Sequence, residues 1–305
     1  MVAYLFAGQG SQYIGMGKDL YESFPQARKV FQIADEVLGF ALSKLCFTGP
    51  LEELTQTCNC QPAIVAVSIA ALEALKSVHS PQSIVHSMAG LSLGEYSALV
   101  AANALSLADA LYLVRRRGEF MEQEAQKRAG KMLSIIGLEP EKVREICAKT
   151  GAEVANINCP GQIVISGEAA CVQAAEALAQ ECGAKRSVFL EVSGAFHSSL
   201  MQGAADKLAK ELQKIEVKVP RVPVICNVTA RPVASPCEIK DNLVKQVASG
   251  VLWEDSMKFI LSKGVTNFIE LGPGRVLKGL LRRIDEKAQV RSIEKKEDIL
   301  SLSGG

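Results

Sequence analysis

Gly90-Leu91-Ser92-Leu93-Gly94 reads G-x-S-x-G. It follows an apolar, strand-like run, Ser83–Ala89, and opens a helical pattern that continues to about Ala102. A serine in that frame is set up as a nucleophile elbow. The glycines keep the strand-to-helix turn tight, and the hydroxyl stands at a helix N-terminus. Free N–H groups and the helix dipole there favour an adjacent oxyanion, with the Leu93 N–H as the expected donor. The plainer reading is a serine N-cap on an ordinary helix. A serine nucleophile also needs a base, and the chain has three histidines. His79 sits at a helix end beside Ser80-Pro81, and His86 lies inside the strand leading to the elbow. His197 lies in the loop Ser193-Gly194-Ala195-Phe196-His197-Ser198, between a strand end and a helix start. Position on a loop points to His197 as the general base.

Two further segments carry polar chemistry. Gly8-Gln9-Gly10-Ser11-Gln12 follows an apolar strand but fits neither Walker A nor G-x-G-x-x-G. It is either a βα turn or a second oxyanion donor, through a backbone N–H near Gln9. Arg115-Arg116-Arg117 lies on a helix with an apolar stripe at Leu107, Leu111, Val114 and Met121. At 3.6 residues per turn Arg116 points away from that stripe, and Arg115 and Arg117 flank it. Arg117 lies nearer Ala110 and Met121, but periodicity barely separates the pair. Such a run is ordinarily a solvated face; it could instead place a guanidinium fork on a substrate carboxylate.

The elements that must position these groups alternate between apolar strands and helices, an α/β pattern. Strands are expected at Val2–Ala7, Ser83–Ala89, Val222–Val228 and Asn267–Leu271, and helices at about Gly15–Leu38, Pro62–Lys76, Leu107–Gln126, Leu200–Ile215, Ile239–Ala248, Trp253–Leu261 and Arg275–Ile284. Between them runs a βαββαβ series: strand Lys131–Leu138, helix Glu139–Lys149, strands Ala152–Asn158 and Gln162–Ser166, helix Glu168–Cys182, strand Lys185–Val192. That is the ferredoxin-like order, able to close its own small sheet. The expected organisation is therefore a catalytic α/β domain from residues 1–126 and 194–305, with residues 127–193 inserted.

Composition narrows the function classes. The 305 residues carry 34 basic and 33 acidic side chains, so no global field draws the chain to nucleic acid or an anionic membrane. No uninterrupted apolar run reaches the length of a membrane span, and the N-terminus goes straight into a strand without a signal-peptide pattern. Nine scattered cysteines, without a CxxC, read as reduced residues in a reducing compartment rather than metal ligands.

Taken together, GQGSQ at 8–12, GLSLGEYSALVAA at 90–102, RGEFM at 117–121, NCPGQIVISG at 158–167, GAFHSSLM at 194–201 and ELGPGRVL at 270–277 resemble the malonyl-CoA:acyl-carrier-protein transacylases of type II fatty acid synthesis. They are also similar to the acyltransferase domains of polyketide synthases. The resemblance implies an α/β-hydrolase-like large domain with a ferredoxin-like insert. It implies Ser92 as nucleophile, His197 as base, and the N–H groups of Gln9 and Leu93 as oxyanion donors. It makes Arg117 the carboxylate clamp and the backbone carbonyl of Gln246 the group that orients the histidine. Phe196 matches the malonyl-selective pattern of the acyl side pocket, and Asn158 and Gly161 match the insert's edge of the cleft. It further implies malonyl-CoA and acyl carrier protein as partners, no cofactor or metal, a monomer, and a cytoplasmic location. One position departs: Leu91 stands where the family usually has histidine, which changes the polarity beside the acyl pocket. A discrete polyketide acyltransferase and a serine thioesterase or hydrolase are the alternatives.

Overall fold

The computed structural model describes residues 1–79 and 84–304. Among these residues ten strands form two sheets: β1 (Val2–Phe6), β2 (Val85–Gly90), β3 (Gly130–Ile136), β4 (Glu153–Cys159), β5 (Gln162–Glu168), β6 (Arg186–Phe189), β7 (Val224–Ile225), β8 (Val251–Leu252), β9 (Asn267–Leu271) and β10 (Gln289–Ile293). The large sheet has the order β10-β9-β1-β2-β7 and is parallel throughout. β1 is central and buried at every residue, as a parallel strand covered on both faces must be. Its apolar residues divide by period two: Val2, Tyr4 and Phe6 enter one core, Ala3 and Leu5 the other.

The small sheet has the order β6-β3-β5-β4-β8. Its first four strands are antiparallel and come from the segment expected as an insert. Helices Pro140–Thr150 and Ala169–Glu181 cover one face around a core of Leu133, Ile135, Val143, Ile163, Ile165 and Val172. The expected βαββαβ order is present, but the insert does not close the sheet alone. β8, from the C-terminal part of the chain, pairs in parallel with β4 at Asn156–Val251 and Ile157–Leu252. A two-residue strand has too little pattern to be seen in sequence.

Other departures have local causes. The expected helix over 15–38 is two, Lys18–Ser23 and Pro25–Leu38, because Pro25 opens the second and Phe24 before it is extended. The strand expected at Val222–Val228 is only Val224–Ile225; Pro223 has no N–H for the ladder, and Cys226 turns back to bond Arg231. The strand expected from Ser83 is observed from Val85, and Ser80, Pro81 and Ser83 lie outside the described residues. β10 and the helices Leu42–Thr48, Leu51–Thr55 and Lys296–Leu300 were not expected.

The apolar helix predicted at Pro62–Lys76 spans Thr57–Val78. Its length and mean hydropathy, 1.5, would suffice to cross a membrane, although polar and charged residues interrupt it as expected; 94% of its most apolar window is buried inside the protein. A helix apolar all round is a core helix where protein surrounds it. Pro62 removes one bond of its ladder, and the freed Cys58 carbonyl accepts instead from Arg115 Nη1 at 3.2 Å.

Candidate active site

The site lies where β1, β2 and β7 end. β2 stops at Gly90 and a helix runs from Gly94 to Ala101. The turn between them is close-packed: a Cβ on Gly90 would fall 2.0 Å from the Gly94 carbonyl, and one on Gly94 2.2 Å from the Phe6 carbonyl. Ser92 itself takes the left-handed conformation, φ 51°. A non-glycine residue there costs about 1–3 kcal/mol, so neighbours must hold it. Asn227 does so twice, accepting from the Ser92 N–H at 2.5 Å and donating Nδ2 to the Gly90 carbonyl at 2.8 Å. Gln246 Nε2 donates to the Ser92 carbonyl at 3.0 Å. The result is an elbow rather than a plain N-cap: among the described residues no side-chain cap bond is made at this helix start.

His197 stands 105 residues away in sequence, also left-handed, φ 58°. Its Nε2 lies 2.8 Å from Ser92 Oγ, and its Nδ1 lies 2.8 Å from the Gln246 backbone carbonyl. A carbonyl can only accept, so Nδ1 carries the proton and Nε2 presents a lone pair to the hydroxyl. Burial, and then the Arg117 cation, lower the His197 pKa to about 4. The imidazole is therefore neutral and able to accept a proton at neutral pH. Neither other histidine reaches the site: His79 Nε2 bonds the Ile299 carbonyl at 2.8 Å, and His86 is half-buried in β2.

The arginine ambiguity is resolved by packing. Gly118 lets helix Leu107–Lys127 meet helix Thr57–Val78 closely; a Cβ there would sit 2.6 Å from Cys58 Cα. The adjacent Arg117 is then 1% exposed, its Nη1 donating to Gln61 Oε1 at 2.9 Å. Its Nη2 reaches both Ser92 Oγ and Gln246 Oε1, each at 3.1 Å. Its Nε has no hydrogen-bond partner among the described residues. Arg115 and Arg116 instead pair with Glu119 at the surface. A guanidinium aimed at the serine oxygen can take a carboxylate carried on a group attached to that oxygen.

The loop at 8–12 does meet the elbow. A Cβ on Gly8 would lie 2.6 Å from the Leu91 carbonyl, and the Gln9 side chain bonds Gln61, itself on Arg117. Among the described residues neither the Gln9 nor the Leu93 N–H donates to another group. Phe196 is 5% exposed and belongs to the main core, while Leu91 packs half-buried against the second core. Asn158 Oδ1 is buried without a partner among the described residues, and Gly161 takes a left-handed turn at φ 67°.

Sequence reasoning missed Asn227, Gln61 and Glu95. Glu95 is 2% exposed, accepting from the Asn227 N–H at 3.0 Å and from Gln246 Nε2 at 2.7 Å. Burial raises its pKa to about 7. The only hint was its place one residue past the elbow; Asn227 lies in no recognisable pattern. Gln246 was expected only for its carbonyl, yet its side-chain amide touches Ser92, Arg117 and Glu95 at once.

The chain is similar over nearly its whole length to known proteins. The acyl transferase domain model matches residues 3–295. The malonyl CoA-acyl carrier protein transacylase of Bacillus subtilis is 48% identical over 303 residues, 98% of this chain and 95% of that protein. The crystal structure of acyl-carrier-protein-S-malonyltransferase from Bartonella henselae aligns with a TM-score of 0.94 at 42% identity, over 99% of this chain and 98% of that one. A type II PKS acyl-carrier protein in complex with its malonyl-transacylase gives 0.95 at 38% identity, over 98% of each chain. With this coverage and identity, the chain belongs to the acyl transferase family, among the malonyl CoA-acyl carrier protein transacylases.

Proposed function

We propose that this protein transfers a malonyl group from malonyl-CoA to the phosphopantetheine thiol of acyl carrier protein through an ester on Ser92. The observation that carries the reading is the convergence on one oxygen: Ser92 Oγ lies 2.8 Å from His197 Nε2 and 3.1 Å from Arg117 Nη2. His197 takes the serine proton as the oxygen attacks the thioester carbon. The N–H groups of Gln9 and Leu93 receive the oxyanion, and the coenzyme A thiolate leaves with the proton from His197. The carrier thiol then attacks the ester, its proton passing to His197 and from there to Ser92 Oγ. The chemistry uses the chain's own residues, without metal or cofactor. A single chain supplies every residue named, so the proposal requires only a monomer.

The division into a catalytic part, residues 1–126 and 194–305, and an insert, residues 127–193, belongs to the same proposal. It is supported by the separate apolar core under the small sheet. The pathway reading is supply of the extender unit for fatty acid synthesis in the cytoplasm, with no role for nucleic acid or membrane. The similarity to a malonyl-transacylase that serves a type II PKS carrier favours a second reading, a discrete polyketide acyltransferase. The test is intact-protein mass after incubation with malonyl-CoA, followed by addition of holo carrier protein. One malonyl adduct should form and should discharge onto the carrier. Discharge to water at the same rate with or without carrier would make the protein a hydrolase instead. Comparing fatty acid and polyketide carriers separates the two pathways.

Arg117 is proposed to select the acid. Malonyl differs from acetyl by one carboxylate, so discrimination needs a cation placed for it. Losing one partner of a buried charge pair costs about 2–5 kcal/mol, roughly 30-fold to several-thousand-fold. Arg117→Ala should lower the malonyl-to-acetyl ratio of kcat/KM by that factor, and Arg117→Lys should recover only part, since charge returns without the fork. Arg115→Ala and Arg116→Ala should leave the ratio nearly unchanged. If Arg115→Ala collapsed the ratio and Arg117→Ala did not, the clamp would be misassigned.

Phe196 is proposed to crowd an α-methyl branch. Phe196→Ser should raise methylmalonyl relative to malonyl transfer. It should also lower stability by at least about 3–5 kcal/mol, because a buried core ring is lost. Equal kcat/KM for the two substrates in the unmodified enzyme would refute the crowding.

A further inference from the structure

Two oppositely charged side chains are buried in this site without touching. Arg117 is 1% and Glu95 2% exposed, and the Gln246 carboxamide joins them. Gln246 Oε1 accepts from Arg117 Nη2 at 3.1 Å, while its Nε2 donates to Glu95 Oε2 at 2.7 Å. The reverse amide orientation would set NH2 against the guanidinium and oxygen against a carboxylate and a carbonyl, so both ends fix it. We propose that Glu95 is the counter-charge of Arg117, so that an incoming malonyl carboxylate displaces it electrostatically and Glu95 takes up a proton as malonyl binds.

The surroundings support this. A buried cation is tolerated only when compensated. Around Glu95 stand Arg117 from helix Leu107–Lys127, Tyr96 on its own helix, and Cys226 and Asn227 after β7. Tyr96 and Cys226 are pushed up by burial, the thiol to about 11, so both are neutral near pH 7. Arg117 is thus the charged group that Glu95 meets. Glu95, raised to about 7, is only partly ionised at neutral pH, and a second anion on Arg117 tips it to the acid. In the free enzyme the reverse holds, and Arg117 favours the carboxylate.

The inference rests on the reading of Arg117 as the malonyl clamp, and the experiment separates the two. Calorimetric binding of malonyl-CoA and acetyl-CoA to Ser92→Ala at pH 7, in two buffers of different ionisation enthalpy, counts the protons exchanged. Uptake of a fraction of a proton, up to about one half, is expected with malonyl-CoA and none with acetyl-CoA. Adding Glu95→Gln, which keeps the shape and removes the charge, should abolish the uptake and tighten malonyl-CoA by up to about twofold at pH 7 and up to about tenfold at pH 8, with acetyl-CoA unchanged at both. A purely structural glutamate would move affinity for both thioesters alike and exchange no proton. Equal proton counts for the two ligands, or uptake that survives Glu95→Gln, would overturn the proposal. Failure of the clamp itself reads differently: Arg117→Ala would then leave malonyl-CoA affinity intact.

Discussion

Ser92→Ala should carry no malonyl adduct after incubation with malonyl-CoA, where the unmodified protein gains one. The expectation is for complete loss because the oxygen that forms the ester is gone, and the backbone gives no substitute. The turn exists to present that atom: β2 delivers Gly90, Asn227 and Gln246 hold Ser92 at φ 51°, and His197 waits 2.8 Å away. The change also relieves little strain, since alanine is no better suited to the left-handed region than serine. Stability should therefore shift by only a small amount, and a thermal melt beside the mass spectrum separates lost chemistry from lost fold. An adduct of full strength in Ser92→Ala would remove the serine ester from the mechanism.

His197→Ala should slow both acylation by malonyl-CoA and discharge to carrier by roughly 10²–10⁴, the usual worth of a general base. His79→Ala and His86→Ala should leave both steps close to the unmodified rate. The pH dependence gives an independent check. The base works only when neutral, and its pKa is lowered to about 4 by burial and by Arg117. Rate limited by this group should hold as pH falls from 8 through 5 and drop only near 4, well below the ordinary histidine value of about 6.5. Arg117→Ala removes one of the two depressing causes, so its acid limb should move to higher pH. Single-turnover quenched flow on each half-reaction measures both effects. A His86→Ala variant that stopped turnover would show the wrong histidine had been chosen.

The strand–turn–helix around Ser92 was legible because its information is local. G-x-S-x-G after an apolar run marks a strand, a tight turn and a helix within a few residues, although Asn227 and Gln246 hold Ser92 in its left-handed conformation from afar, and the βαββαβ periodicity is likewise carried by short-range pattern. His197 was legible by scarcity and loop position. The choice of Arg117 over Arg115 rested on resemblance, because 3.6-residue periodicity places the two on opposite flanks of one stripe. Only the crossing at Gly118 buries one and leaves the other to pair with Glu119 and to satisfy the carbonyl freed by Pro62. β8 was invisible because a two-residue strand exists only by its pairing with β4. Asn227 and the Gln246 amide were invisible in the same sense: 135 and 154 residues from Ser92, they act by where the fold brings them. Glu95 lay in plain view next to the elbow, but an acidic residue in a helix's first turn is ordinarily solvated. Its burial, its raised pKa and its link to Arg117 follow from desolvation and long-range packing, which no local pattern encodes.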